Sequence, residues 1–287
     1  MTTLTAAPAA SPEVANSLQV GDCTINYHDQ GQGEAILLIH GSGPGVTAWA
    51  NWRGVIPALS QQARVIAPDM LGFGYTRCPM DRPLDPDAWV AQLVGLLDAL
   101  DIPKVSVVGN SFGGAIALAF ALRHPERVNR LVLMGAAGLS FPLTEGLDKV
   151  WGYQPSLEAM RELMKVFAFD HSIITDDLVR MRFDASIRDD VQTRFAQLFP
   201  APRQQGIEML AVDEAALRHL PQPTLIIHGR DDQVIPLETS ERLIRLIPHA
   251  QLHVFGECGH WVQIEQAAAF SRLLIDFLCA ERKESNV

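Results

Sequence analysis

The chain has 287 residues, 48% of them apolar and 20% charged, with a formal net charge of −10. That length and balance suit one large globular domain, or one domain carrying an insertion, with enough chain to bury a sizeable core. The acidic balance, without a basic run or stripe, argues against a nucleic-acid binder, and it means that an anionic ligand needs a locally positive pocket.

Residues 1–17, rich in Ala, Ser, Thr and Pro, read as a loose leader. Short apolar, β-branched runs follow at 24–28, 35–39, 64–67, 105–108, 131–134, 224–227 and 251–255. Several lie beside Gly or Pro, as buried strands of a mainly parallel sheet do. Helix-period text sits between them. Over 87–100, Trp89, Val90, Leu93, Val94, Leu97 and Leu100 share one face, and 111–123 and 265–278 read similarly. Alternating strands and helices predict an α/β fold whose sheet is covered on both faces.

One stretch breaks that alternation. From about 142 to 220 there is no convincing strand, only amphipathic helical text such as "SLEAMRELMKVFAF". Its length allows several helices, so it reads as an inserted cap rather than one long crossover. The expected organisation is a core of residues 18–141 and 221–287 with a helical cap at 142–220. Cys23, Cys78, Cys258 and Cys279 are widely spread with no C-x-x-C pair, which fits reduced thiols rather than a disulfide framework or zinc site. No apolar run nears the length that spans a bilayer, and the first basic residue is Arg53. The expectation is a soluble, cytoplasmic protein.

The chemistry starts at Gly109-Asn110-Ser111-Phe112-Gly113. This is G-x-S-x-G, the pattern of a strand that turns sharply into a helix and exposes a serine. An ordinary strand–turn–helix join could carry the same five residues, so the remaining loops decide. A nucleophilic serine needs a base and a carboxylate that orients the base. "LIIHGRDDQVIP" offers Asp231 and Asp232 after one predicted strand, and "VFGECGHW" offers His260 after the next. Both loops lie where open α/β sheets place their sites. His124 reads as a helix-end partner and His40 as support for the glycine loop behind it.

A developing oxyanion requires donors fixed in advance. The predicted pair is the backbone N–H of Phe112 and, from "HGSGPG" at 40–45, that of Ser42. The same loop does not fit dinucleotide binding: its glycines have the wrong spacing, and Pro44 has no N–H. No phosphate loop of the G-x-x-x-x-G-K-[ST] type is present, and nothing calls for a metal or other cofactor.

Taken together, "HGSGPG", "APDMLGFG", "GNSFGG", "HGRDDQVIP" and "CGHW" resemble the α/β-hydrolase superfamily over about residues 18–280. Within it they resemble the meta-cleavage product hydrolases. "GPGVTAWANW" and "TEGLDKVWGY" look like the 2-hydroxymuconate-semialdehyde hydrolases. The resemblance implies Ser111 as nucleophile or water-orienting group, Asp232 rather than Asp231 as acid partner, and His260 as proton shuttle. It implies Arg182 as a clamp for the substrate carboxylate, with Asn51, Asn110 and Trp261 lining the polar half of the pocket. Asp69 is assigned to loop structure.

The implied reaction is hydrolysis of a carbon–carbon bond in an anionic 2-hydroxy-6-oxo-dienoate, giving a 2-hydroxydienoate and a short acid, by a homo-oligomer (dimer or higher) without nucleic-acid or membrane partners. The rivals are a carboxylesterase using the same triad, an enzyme of the same group preferring 6-phenyl substrates, and a hydrolase-shaped receptor. Dehalogenase or epoxide-hydrolase chemistry would require Asp at position 111.

Overall fold

The computed structural model describes residues 11–279. The first ten residues of the predicted leader, and 280–287 of the predicted core, lie outside the described residues. Residues 11–17 depart from the expected loose leader. The Ala15 N–H donates to Asn26 Oδ1 at 3.1 Å, Asn26 Nδ2 donates to the Glu13 carbonyl at 2.9 Å, and strand β1 (Asn16–Val20) begins inside the stretch. Only Leu18 and Val20 give β1 an apolar face, too little alternation for a sequence signal.

A hairpin turn joins β1 to β2 (Cys23–Gln30), and β3 (Ala35–Ile39) follows. The short helices α1 (Ala48–Trp52) and α2 (Ile56–Leu59) lead to β4 (Arg64–Pro68) and α3 (Pro86–Ala99). Next come β5 (Val105–Asn110), α4 (Phe112–Arg123) and β6 (Val128–Met134). The sheet order is β1-β2-β4-β3-β5-β6, then β7 (Thr224–Gly229) and β8 (Ala250–Phe255). Pairing is parallel from β4 through β3 to β8 and antiparallel around β2. All six residues of β5, at the centre, are buried, as a strand covered on both faces must be.

Between β6 and β7 the described chain forms α5 (Glu145–Trp151), α6 (Leu157–Phe167), α7 (Asp176–Ser186), α8 (Val191–Leu198), α9 (Gln204–Leu210) and α10 (Glu214–Leu217). Thr144, Ser156 and Thr175 start the first three of these by accepting a backbone N–H at their side-chain oxygens. After β7 come α11 (Leu237–Leu246), α12 (Val262–Glu265) and α13 (Ala267–Leu278). The single helix predicted over 265–278 therefore starts after a break at Gln266, whose φ/ψ of −118°/32° is not helical.

Two apolar clusters cover the sheet. One gathers Trp52, Ile56, Phe270 and Leu274 from α1, α2 and α13; the other joins Trp89, Leu93, Ile116 and Phe120 of α3 and α4 to residues from α5 to α9. The α5–α10 block thus shares a core with the sheet. Among the described residues no helix is long and apolar enough to cross a membrane.

Candidate active site

Ser111 sits where β5 ends and α4 begins, with φ 55° and ψ −117°. A non-glycine residue there is strained and persists only if its surroundings fix it. Four hydrogen bonds do so. The Ser111 N–H donates to the Met134 carbonyl at 2.9 Å, and the Ser111 carbonyl accepts from Gly114, Ala115 and Ala137 at 2.9, 3.3 and 3.1 Å. The flanking glycines are required by close approach: a Cβ on Gly109 would lie 2.3 Å from the Gly113 carbonyl oxygen, and one on Gly113 2.3 Å from that of Ile39.

Asp232 lies past the end of β7 and His260 past the end of β8. Asp232 Oδ1 accepts the N–H groups of Val234 and Ile235 at 2.7 and 3.0 Å, and its Oδ2 stands 2.7 Å from His260 Nδ1. Asp231 is elsewhere, 31% exposed, with its carboxylate on Arg230 and the Cys258 N–H. Burial would push the Asp232 carboxyl up, but the charge of His260 and hydrogen bonds from His228 and His260 hold it well below the usual carboxylate range. An ionised carboxylate only accepts, so Nδ1 carries a His260 proton, and in the neutral ring it is Nε2 that keeps the lone pair. No hydrogen bond joins Nε2 to Ser111 Oγ among the described residues, yet both side chains line one cavity. Such a link is often long without substrate and tightens when substrate is bound.

That cavity, its solvent-open mouth included, spans about 420 Å³. Ser42, Asn51, Asn110, Arg182 and Trp261 also line it, whereas Asp232 stands behind His260. The Phe112 ring points away, edge-on to Trp89 at 4.7 Å. Neither the Ser42 nor the Phe112 N–H donates a hydrogen bond within the described protein, so both remain available. Asn110 Nδ2 donates to Asn51 Oδ1 at 2.9 Å, and the Gly41 N–H approaches the same oxygen at 3.4 Å. This leaves Asn51 Nδ2 and Asn110 Oδ1 buried without partners, one donor and one acceptor. Half-buried Arg182 donates to the Pro44 carbonyl at 3.2 Å, and Trp261 stacks on Phe167 at 5.0 Å.

His40 and Asp69 support the loops. His40 donates from Nδ1 to the Gly41 carbonyl at 2.7 Å and accepts the Met70 N–H at Nε2, 3.0 Å away. Burial pushes its ring down to about 4 and keeps it neutral. Asp69 accepts the N–H groups of Ala48 and Tyr75 at 2.6 and 2.8 Å. Burial raises its carboxyl to about 6.

Three neighbours escaped the sequence reading. His228, fully buried, donates from Nε2 to the Ile235 carbonyl at 3.0 Å, lies 3.3 Å from Asp232 Oδ2, and meets Ser240 Oγ through Nδ1 at 2.7 Å. It stands four residues before Asp232 in "HGRDD", the one available signal. Trp151 donates from its indole to Ser42 Oγ at 3.0 Å, and Phe167 stacks on His260 at 5.9 Å. Both come from the α5–α10 block, where nothing local in the text marks them.

Residues 34–267 match a protein-family model described as the alpha/beta hydrolase fold. The chain belongs to the α/β-hydrolase family and, within it, to the meta-cleavage product hydrolases. It is 58% identical over 272 residues to a 2-hydroxymuconate semialdehyde hydrolase of Pseudomonas sp. strain CF600, covering 95% of this chain and 96% of that one. It is 56% identical over 269 residues to a 2-hydroxy-6-oxo-2,4-heptadienoate hydrolase of Pseudomonas putida F1, covering 94% and 98%. A solved structure of the meta-cleavage product hydrolase CumD of Pseudomonas fluorescens IP01, a serine-to-alanine mutant complexed with acetates, superposes with a TM-score of 0.91 at 55% identity, over 92% of this chain and 97% of that one.

Proposed function

We propose that this enzyme hydrolyses the C5–C6 bond of 2-hydroxy-6-oxo-dienoates, with 2-hydroxymuconate semialdehyde as its substrate, giving a 2-hydroxydienoate and formate. One observation carries the reading: Ser111 and the Asp232-oriented His260 share a single cavity with Arg182 and an unpartnered donor–acceptor pair, Asn51 Nδ2 and Asn110 Oδ1. A charged guanidinium beside such a pair suits a carboxylate with a neighbouring hydroxyl.

The dienol cannot leave as it stands. His260 Nε2, unprotonated, takes the 2-hydroxyl proton and delivers it to C5, which leaves a ketone at C2. Ser111, or a water it orients, then adds to the C6 carbonyl as His260 accepts the proton. The resulting oxyanion lies on the Ser42 and Phe112 N–H groups. Cleavage of C5–C6 sends its electron pair through C4 and C3 to the C2 oxygen, and His260 returns the proton. Water supplies the remaining atoms of formate.

We also assign residues 142–220 as a lid over a core of 18–141 and 221–287; Leu147, Val150, Phe167 and Arg182 of that block line the cavity and support this. A cytoplasmic location is supported by four free thiols. A homo-oligomer is supported by β8, an edge strand with Val254 38% exposed. Purified enzyme given the semialdehyde, the methyl ketone and the phenyl ketone dienoates side by side should bleach the semialdehyde fastest. Rapid turnover of 4-nitrophenyl acetate with no bleaching would establish the esterase instead.

A further inference from the structure

A second chamber adjoins the cavity of Ser111, sharing Val46, Asn51, Arg182 and Trp261 with it and spanning about 970 Å³ with its solvent-open mouth included. Its charged lining consists of Glu13, Arg53 and Arg182. The Glu13 carboxylate is engaged by Arg188 at 3.7 Å. Arg53 is exposed and has no carboxylate partner among the described residues. Its Nη1 lies 3.9 Å from Sδ of Met181, the residue next to Arg182; burial disfavours the Arg182 charge, Glu13 favours it, and the Arg53 charge opposes it. Two guanidinium groups against one carboxylate, itself shared with Arg188, leave the lining with positive charge for a further anion to meet.

The polar groups point to the same ligand chemistry. Gln263, only 3% exposed, lines this chamber with a buried, unpartnered Oε1, an acceptor for a hydroxyl proton. Asn51 Nδ2, at the junction with the inner cavity, is an unpartnered donor. A carboxylate carrying a neighbouring hydroxyl satisfies both cations and the acceptor. The chain as a whole bears a charge of −10, so capture of an anionic substrate depends on a local positive site.

We propose that the outer chamber is a vestibule in which Arg53 captures the carboxylate end of the incoming 2-hydroxy-6-oxo-dienoate before Arg182 draws it into the cavity of Ser111. This rests on the C–C hydrolase reading. Arg53 is thereby a positioning residue that acts on capture and not on bond cleavage.

The test is kcat/KM for 2-hydroxymuconate semialdehyde at rising NaCl in wild type, Arg53→Gln, Arg53→Glu and Arg53→Lys. At low salt, Arg53→Gln should lower kcat/KM about tenfold and Arg53→Glu about a hundredfold, with the loss carried by KM. The differences should shrink as salt screens the chamber, and Arg53→Lys should restore most of the value. Wild-type kcat/KM and salt slope in both Gln and Glu variants, or a loss confined to kcat, overturns the proposal. If wild type leaves the semialdehyde unbleached, the C–C reading fails separately. The vestibule is then judged by the ratio of 4-nitrophenyl hemisuccinate to 4-nitrophenyl acetate turnover: Arg53→Glu should lower it, and an unchanged ratio overturns the assignment.

Discussion

Replacing Asp232 by Asn isolates the orientation of His260. The carboxylate uses one oxygen for the N–H groups of Val234 and Ile235 and the other for His260 Nδ1. An amide has one oxygen to offer. If that oxygen turns toward His260, the NH₂ group faces two backbone donors, at about 1–3 kcal/mol for each donor left unpaired. The opposite orientation therefore wins: the oxygen keeps the backbone, and the NH₂ donates to Nδ1. The imidazole proton must then move to Nε2, which faces Ser111 with no lone pair to accept a proton. The folded state keeps the backbone and His260 hydrogen bonds but loses the one from His228 Nε2, which then faces the NH₂ group, so stability should fall by about 1–3 kcal/mol. Turnover should fall about 10⁴-fold, equivalent to about 5.5 kcal/mol of barrier. Bleaching of the dienoate gives the rate, and urea denaturation gives the stability. Asp231→Asn is the control and should stay within about threefold of wild type, because its carboxylate meets only Arg230 and the Cys258 N–H. A loss below tenfold for Asp232→Asn would refute the reasoning, as would equal losses in the two variants.

Ser111→Gly should abolish turnover yet stabilise the fold by about 1 kcal/mol, since Gly occupies a φ of 55° without strain; a lower urea midpoint than wild type contradicts this. His40 should create an acid-sensitive hold on the 40–45 loop. Its ring is pushed from 6.5 in the unfolded chain to about 4 in the fold, so its contribution is full above pH 6.5 and is lost as pH falls through 4. The advantage of wild type over His40→Gln in urea unfolding should shrink by about 3 kcal/mol across that window, and a constant or widening gap rules it out. Trp151→Phe keeps the ring but deletes the donor to Ser42 Oγ, so kcat should drop about fivefold, the equivalent of one net hydrogen bond of about 1 kcal/mol. Unchanged kcat would show that the indole N–H does not hold the loop.

The residues that could be read from the sequence are those whose chemistry depends on local backbone geometry. Ser111 announces itself because a left-handed turn between two close-packed segments forces glycine at 109 and 113. Asp232 and His260 follow because each stands a few residues past a strand, β7 fully buried and β8 a part-exposed edge, and both strands are visible as apolar runs. What stayed hidden depends on contacts made across long separations. Trp151 meets Ser42 across 109 residues, and Arg182, named by resemblance alone, meets the Pro44 carbonyl across 138. The amphipathic text of the α5–α10 block states which faces are apolar but not which loop they will cover. β1 failed to register for a related reason, since its pairing with β2 is set by backbone bonds and not by its own two apolar side chains. The division has a functional consequence. The proposed reacting groups follow strands of the sheet, whose geometry is encoded locally, whereas Arg53, Met181 and Arg182 gain their proposed roles only from how α7 settles against residues 40–53. Variation in the α5–α10 block should therefore alter which substrates enter and bind while leaving the Asp232–His260 pair in place.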